Sequence, residues 1–185
     1  MKTRIYILLG IIAIAFSSCN IAGTSNNTPD ILFVTNPFIN KTDTLSNYNT
    51  DESGVYRMDT IQVGDTVTFR MLLYGYSNNL SSFNLVQADT SATKILLPSS
   101  ISLDSIFVSA GSDYSTGKFL FKSKISNLYF PFRYVAKKVT NDAKITFYLS
   151  SDATFGNSSG LGNNSTSFVL KTPIKLKKPV AVKHK

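Results

Sequence analysis

Hydrophobic and polar residues alternate along much of this chain, which is the pattern of a β-strand with one buried face. The longest alternation covers residues 65–74, where every second side chain is apolar: Val67, Phe69, Met71 and Leu73. Residues 144–150 alternate in the same way, with Ile145, Phe147 and Leu149 on one face. Further strands are predicted at residues 31–35, 55–62, 82–88, 101–109, 117–125, 129–136 and 167–174. No segment after residue 30 has the periodicity of an amphipathic helix.

These short strands are separated by turns rich in Asn, Asp, Gly and Ser, and together they predict an all-β sandwich. The sequence Ile61-Gln62-Val63-Gly64-Asp65-Thr66-Val67-Thr68-Phe69 resembles the passage from strand A′ to strand B in immunoglobulin-like bacterial surface domains. The resemblance implies an immunoglobulin-like antiparallel β-sandwich of about 7–9 strands, which we place at residues 30–174. Only the architecture carries over, because the chain has no Trp and a single Cys.

The N-terminus has the composition of a removable leader. Lys2 and Arg4 precede an apolar run that ends at Phe16, and two serines and Cys19 follow. As a helix, the apolar run would extend for about 18 Å, less than the roughly 30 Å of a bilayer core. Phe16-Ser17-Ser18-Cys19 resembles the lipobox of bacterial lipoproteins. The resemblance implies that residues 1–18 are a signal peptide and that Cys19 carries lipid; the alternative is an ordinary secretory leader.

Polar segments flank the predicted sandwich on both sides. Residues 19–29 are rich in Asn, Thr and Ser, as expected for a lipidated Cys followed by a flexible tether. Residues 175–185 form a basic tail, for which a solvated segment is favoured over contact with anionic lipid. The formal charge of +8 comes from the leader and the tail, since basic and acidic residues are equal in number between Asn20 and Leu170. Nucleic acid is therefore not a predicted partner.

Candidate catalytic chemistry is sparse in this sequence. The single histidine, His184, lies one residue from the end of the tail, and Glu52 is the only glutamate. A catalytic base must be held rigidly against its nucleophile, so a terminal histidine is a poor base. We predict no enzymatic activity, no metal and no cofactor. Aspartates near strand ends are interpreted as turn formers in preference to calcium ligands; they are Asp30, Asp113 and Asp152.

Two features are candidate ligand sites. The densest aromatic cluster spans residues 127–134, and Tyr129, Phe132 and Tyr134 are its candidate ligand-contacting rings. Packing of these rings in the core is the alternative and is favoured, since Trp, the best sugar-stacking residue, is missing. Residues 152–166 form a long loop that either presents Phe155 and Leu161 to a ligand or is a solvated hairpin tip.

Four short sequences resemble the Asp-Ser/Thr-apolar pattern for O-glycosylation of exported Bacteroidetes proteins. The resemblance implies that the glycan acceptors are Thr44, Thr60, Thr66 and Ser105. An Asp-Thr turn that enters a strand has the same pattern, and both interpretations remain open.

In Bacteroidetes lipoproteins an acidic cluster shortly after the lipidated Cys resembles a surface-export tag. In this sequence no acidic residue lies between Cys19 and Asp30. We therefore expect an outer-membrane lipoprotein that faces the periplasm in preference to the cell surface.

The leading hypothesis is a membrane-anchored cell-envelope lipoprotein that acts as a non-enzymatic binding or scaffolding module. Its predicted partners are the membrane, through lipid on Cys19, and a glycan or an envelope protein. One alternative is a glycan-binding lipoprotein of a polysaccharide-uptake system, which requires exposed, coplanar aromatic rings. Another is a pilus or adhesin subunit, which requires a strand that is donated to a neighbour.

Overall fold

β-Strands make up nearly all the regular structure of this chain. The computed structural model describes residues 27–40, 43–44, 49–50, 55–155 and 162–177. The strands are β1 (Asp30–Phe33), β2 (Phe38–Ile39), β3 (Asp43–Thr44), β4 (Asn49–Thr50), β5 (Val55–Arg57), β6 (Ile61–Gln62), β7 (Thr66–Tyr74), β8 (Leu80–Gln87), β9 (Thr93–Leu96), β10 (Lys118–Leu120), β11 (Asn127–Ala136), β12 (Thr140–Ser151) and β13 (Ser165–Lys175). A short helix, α1 (Ser100–Asp104), and a 3₁₀ turn at Ser109–Gly111 lie between β9 and β10. In these ranges no helix has the length and apolarity needed to cross a membrane.

The strands form two sheets that pack face to face. Sheet I has the order β3-β2-β7-β11-β9, and β1 pairs with β7 beside β2. Sheet II has the order β10-β8-β12-β13-β5-β4, and β6 pairs with β13. The pairings are antiparallel, except that β5 and β6 run parallel to β13. The predicted all-β sandwich is confirmed.

The strand order is that of an immunoglobulin-like sandwich. β1, β7, β11 and β9 lie side by side as strands A, B, E and D do, and β8, β12 and β13 take the places of C, F and G. β6 lies parallel to the last strand and leads directly into β7, which is the passage expected from residues 61–69. β10 is an additional edge strand beside β8.

The core lies between the sheets and follows the predicted alternation. Four side chains of β7 are fully buried: Val67, Phe69, Met71 and Leu73. They face the buried side chains of β12 across the sandwich: Ile145, Phe147 and Leu149. Complete burial of such a side chain contributes about 1.5–3 kcal/mol. Period-two patterning in these two strands therefore accounts for the face that each of them buries.

One hydrogen bond joins the two sheets through the core. The hydroxyl groups of Tyr134 on β11 and Thr172 on β13 lie 2.8 Å apart. Both side chains are fully buried. Burial raises the pKa of Tyr134, so its hydroxyl stays protonated and is able to donate or accept the hydrogen bond with Thr172.

The strand predicted at residues 101–109 is wrong. This segment contains α1, a turn and an isolated bridge at Phe107. The Ser99 side chain accepts a hydrogen bond from the Ser102 N–H and caps the helix. Leu103 is buried, and its carbonyl accepts hydrogen bonds from the N–H groups of Ile106 and Phe107, which form the turn after the helix. The cap and this turn outweigh the β-rich composition.

Other boundaries differ by a few residues. The strand predicted at residues 55–62 is divided into β5 and β6, because only its two ends pair with β13. The strand predicted at residues 117–125 shortens to β10 and a bridge at Phe121. Strand β9 was not predicted, since its four residues follow a Thr- and Ser-rich turn without clear alternation.

Candidate functional site

An open cleft of about 850 Å³ lies at one edge of the sandwich, where the two sheets separate. One wall is the end of β8, from Leu85 to Gln87, and the other wall is β9. The turn at residues 114–117 closes one side, and Lys137 lies at the mouth. The volume falls in the range of sites that bind small molecules or short peptide segments.

The cleft exists because both of its walls are incomplete sheet edges. β10 pairs with β8 only up to Asn84, and the Leu85 N–H then donates to the carbonyl of Gly117 at 2.8 Å. β9 is the last strand of sheet I and pairs with β11 on one side. Five residues connect β8 to β9, and the two strands belong to different sheets. The strands therefore diverge and leave a gap between their edges.

The floor of the cleft is apolar and its rim is polar. Leu85 is buried, while Ile95, Leu97 and Tyr114 are partly buried and pack against the core. At the closed end, the Gln87 amide donates to the carbonyl and to the hydroxyl of Thr93, each at 2.8 Å. Exposed hydroxyl and ammonium groups complete the rim: Thr90, Ser91, Thr116, Lys94 and Lys137. This lining suits a ligand with apolar groups and a negatively charged edge.

Two aspartate-capped turns hold the rim in place. The Asp89 carboxylate accepts hydrogen bonds from the Ser91 hydroxyl at 2.6 Å and from the Ser91 N–H at 2.8 Å. The Asp113 carboxylate accepts from the Ser115 hydroxyl at 2.6 Å and from two backbone N–H groups. These bonds, above all those from the serine side chains, lower the pKa of both carboxyls. The turns are therefore fixed while the carboxylates are ionised.

Tyr114 is positioned by contacts on both sides of its ring. Its ring stacks on Phe119 with centroids 5.5 Å apart. Its hydroxyl donates to the Asp104 carboxylate at 2.7 Å. Partial burial, together with this bond, raises the pKa of Tyr114. Helix α1, which carries Asp104, therefore helps to orient one ring of the cleft floor.

Gly117 allows the wall of the cleft to close against β8. Its φ is +78°, and a Cβ at this position would overlap the carbonyl oxygen of Leu85. A residue without a side chain is required by both the backbone conformation and the contact.

The predicted aromatic ligand site requires a correction. Phe132 and Tyr134 have no exposed surface, because both lie on the inner face of β11 and pack in the core. Neither ring is able to meet a ligand at the surface. Tyr129 is 68% exposed on the outer face of sheet I. The register places it in one row with Leu72 and Leu32, which forms a separate exposed surface.

The predicted glycosylation sites lie in different settings. Thr60 and Ser105 are exposed, and the Ser105 hydroxyl donates to the Ser102 carbonyl. Thr66 is half-buried at the start of β7, and the preceding Asp65 accepts from the Gln62 N–H at 2.8 Å. Thr44 belongs to β3, and its side chain is outside the described residues. Cys19 and His184 are also outside them.

The aspartates considered for calcium accept hydrogen bonds from groups of the fold. Asp113 caps a turn. Asp30, at the start of β1, accepts from the Ile31 N–H, and Asp152 accepts from the backbone and side-chain amides of Asn79, which is distant in the sequence. Among the described residues no three His, Cys, Asp or Glu side chains converge as metal ligands would.

The long loop considered as a ligand loop follows β12. In it the Phe155 ring packs over Gly162, and Leu161 lies outside the described residues.

No protein-family model matches this chain, and no curated protein matches its sequence. The cleft was not predicted from the sequence, because its walls become neighbours only through the sheet topology. The available signal was the break in alternation after Gln87, where a turn rich in Ser and Thr separates two strands.

Proposed function

We propose that this protein is a non-enzymatic binding module of the cell envelope, anchored by lipid on Cys19 and binding its ligand in the cleft between β8 and β9. The observation that carries the proposal is the cleft itself. It combines an apolar floor with hydroxyl, amide and ammonium groups, which are the groups that orient a bound ligand. The lipobox and the polar tether predicted from the sequence support the anchoring.

The direction of the chain supports this arrangement. β1 begins at Asp30, opposite Tyr74, and Tyr74 lies opposite Asn127, the first residue of β11. The cleft strand β9 pairs with the last residues of β11, from Arg133 onward. At 3.3 Å per residue, the cleft lies about 20 Å along the strands from the end at which the tether enters. A lipid on Cys19 would therefore anchor the sandwich at the end opposite to the cleft.

Site-directed photocrosslinking in intact cells tests the binding site. A photoreactive phenylalanine analogue replaces Thr116 at the rim of the cleft or, as the matched control, Tyr148 on the outer face of β12. We expect a discrete adduct from position 116 that is missing from position 148. Identical adduct patterns at the two positions, or none at position 116, would contradict a binding site in the cleft.

Metabolic labelling tests the anchor. Wild-type protein incorporates an alkyne-tagged palmitate, whereas the Cys19→Ser variant does not and is released from the membrane fraction. Equal labelling of the two proteins would contradict lipidation at Cys19.

A glycan-binding function is the second candidate, and Tyr129 is the observation that favours it. Its exposed ring lies beside Leu72 and Leu32 on the outer face of sheet I. The neighbouring rings of Tyr74 and Tyr76 are tilted by 45° and are therefore not coplanar. Glycan-array binding that is lost in Tyr129→Ala and retained in Tyr148→Ala would favour this candidate over the cleft.

A further inference from the structure

The β9 wall of the cleft is a sheet edge with free peptide groups. On β11, Ala136 exchanges hydrogen bonds with residues 64 and 65, so the peptide groups of Ala136 face β7. Because peptide groups of successive residues in a strand point in opposite directions, those of Val135 and Arg133 face β9. They pair with the peptide groups of Lys94 and Leu96. The peptide groups of Thr93 and Ile95 consequently face away from β11 and into the cleft. The bond from the Gln87 amide to the Thr93 carbonyl agrees with this direction.

Ile95 is the central residue of this edge. Neither its N–H nor its C=O has a hydrogen-bond partner among the described residues. A strand placed against β9 is therefore able to exchange two backbone hydrogen bonds with Ile95. The Thr93 carbonyl already accepts a hydrogen bond from the Gln87 side-chain amide at the closed end of the cleft. An added strand would therefore pair with the part of β9 from Ile95 toward Leu97.

The two faces of such a strand would meet different environments. On the inner face, Ile95, Leu97, Leu85 and Tyr114 form the apolar floor. Lys94 is exposed and points to the opposite face of β9, because successive side chains in a strand alternate. Lys137 is also exposed at the mouth, and neither lysine has an ion-pair partner in the described ranges. Among the residues that the structure describes, none of those lining the cleft is acidic.

From this geometry we propose that the ligand is an extended protein segment that adds to β9 as a new edge strand of sheet I. Its residues alternate between apolar side chains on the floor and acidic side chains beside Lys94 and Lys137. Backbone hydrogen bonds to an exposed edge supply affinity in such strand addition, and the alternate side chains supply specificity. The length of β9 and the loop that follows it fits a core of about five residues. The inference rests on the proposed function, since it names the ligand class of the same cleft.

Peptide titration into the detergent-solubilised full-length protein tests the proposal. The probe is a fluorescent nonapeptide in which Val and Glu alternate, and the control replaces every Glu by Lys. We expect the acidic peptide to bind at least about tenfold more tightly. Lys94→Glu should abolish this preference, because the new carboxylate offsets Lys137, whereas Lys144→Glu, on the outer face of sheet II, should leave it unchanged. A preference that is the same in wild type and Lys94→Glu would overturn the proposal.

N-methylation of the peptide distinguishes strand addition from other binding modes. In an added strand, every second N–H group faces β9. These are the N–H groups of the valines if the peptide runs antiparallel to β9, and those of the glutamates if it runs parallel. N-methylation of that set removes the donors that face β9. That set should weaken binding about tenfold or more, and the other set should have little effect. Equal effects of the two sets would overturn strand addition.

The remaining outcomes separate this inference from the proposed function. A specific crosslink at position 116 without binding of either peptide contradicts strand addition and leaves a binding cleft. Absence of both the crosslink and peptide binding contradicts both. A concentration-dependent dimer that the acidic peptide does not dissociate would assign the edge to a second copy of this chain and overturn the proposal.

Discussion

The sandwich has a closed half and an open half. In the closed half, β7 and β11 face β12 and β13, and the inward side chains meet across a filled core. In the open half, β8 and β9 diverge, and the cleft lies between their edges. The closed half is built from long strands with strict alternation, whereas the open half combines β8 with two short strands, β9 and β10, one helix and two aspartate-capped turns. Regular alternation favours sheet contact, and its interruption leaves room for a ligand.

The largest expected effect is in the closed half. Phe147→Ala removes a fully buried ring whose centroid lies 5.0 Å from that of Phe132. We expect the free energy of unfolding to fall by about 3–5 kcal/mol, because the surrounding core does not refill the cavity. Denaturant unfolding measures this loss. Tyr148→Ala is the matched control, since Tyr148 is the next residue and is 44% exposed. A similar loss in the two variants would mean that the closed half is not tightly packed.

At the boundary between the halves, Gly117→Ala should destabilise the protein by about 2–3 kcal/mol. The substitution adds an unfavourable positive φ and a clash with the Leu85 carbonyl. Gly64→Ala is the control, because its φ is +94° but no atom lies within 4 Å of the added Cβ. Only the conformational cost, about 1 kcal/mol, is expected there. Equal losses measured by thermal unfolding would show that the contact with β8 contributes nothing.

The same contrast explains which parts of the fold were predictable. The fold class was predicted, and so were β7, β8, β11, β12 and β13, because the period of two in these strands is set by a two-layer core. Residues 101–109 were predicted as a strand because their composition is β-rich, and the Ser99 cap was not considered. β9 was missed because its pairing with β11 depends on tertiary contacts and not on its own pattern.

The candidate site was predicted less well. Tyr129, Phe132 and Tyr134 were grouped by their proximity in sequence, but an odd-numbered and an even-numbered residue of one strand lie on opposite faces. Strand alternation applied within 127–136 would have separated Tyr129 from the other two. The cleft was beyond sequence reasoning, since Leu85, Ile95 and Tyr114 are brought together only by the crossing of the chain between sheets.

A moderate effect is expected from the hydrogen bond that joins the sheets in the closed half. Tyr134→Phe or Thr172→Val leaves one buried hydroxyl without its partner, which costs about 1–3 kcal/mol. The double variant removes both hydroxyls and should lose little more than either single variant. A double-mutant cycle of unfolding free energies measures the coupling. Losses that simply add would show that the two hydroxyls do not interact.

The smallest effect concerns the turn that borders the open half. The folded-state pKa of Asp113 is lowered by the bonds from Ser115 and Thr116, below an unfolded value of about 3.9. Its ionised form therefore stabilises the fold at neutral pH, and this contribution is lost as the pH falls through the folded-state pKa. Asp113→Asn should lower Tm slightly and by a constant amount above about pH 5, and the difference from wild type should shrink below about pH 4.

Ser115→Ala tests the cause of this pH dependence, because it removes the shortest bond to the Asp113 carboxylate. The Tm loss caused by Asp113→Asn depends on pH. We expect this pH dependence to be smaller when Asp113→Asn is made in a protein that already carries Ser115→Ala. A Tm difference that persists unchanged at about pH 2 would show that the Asp113 carboxylate does not hold this turn.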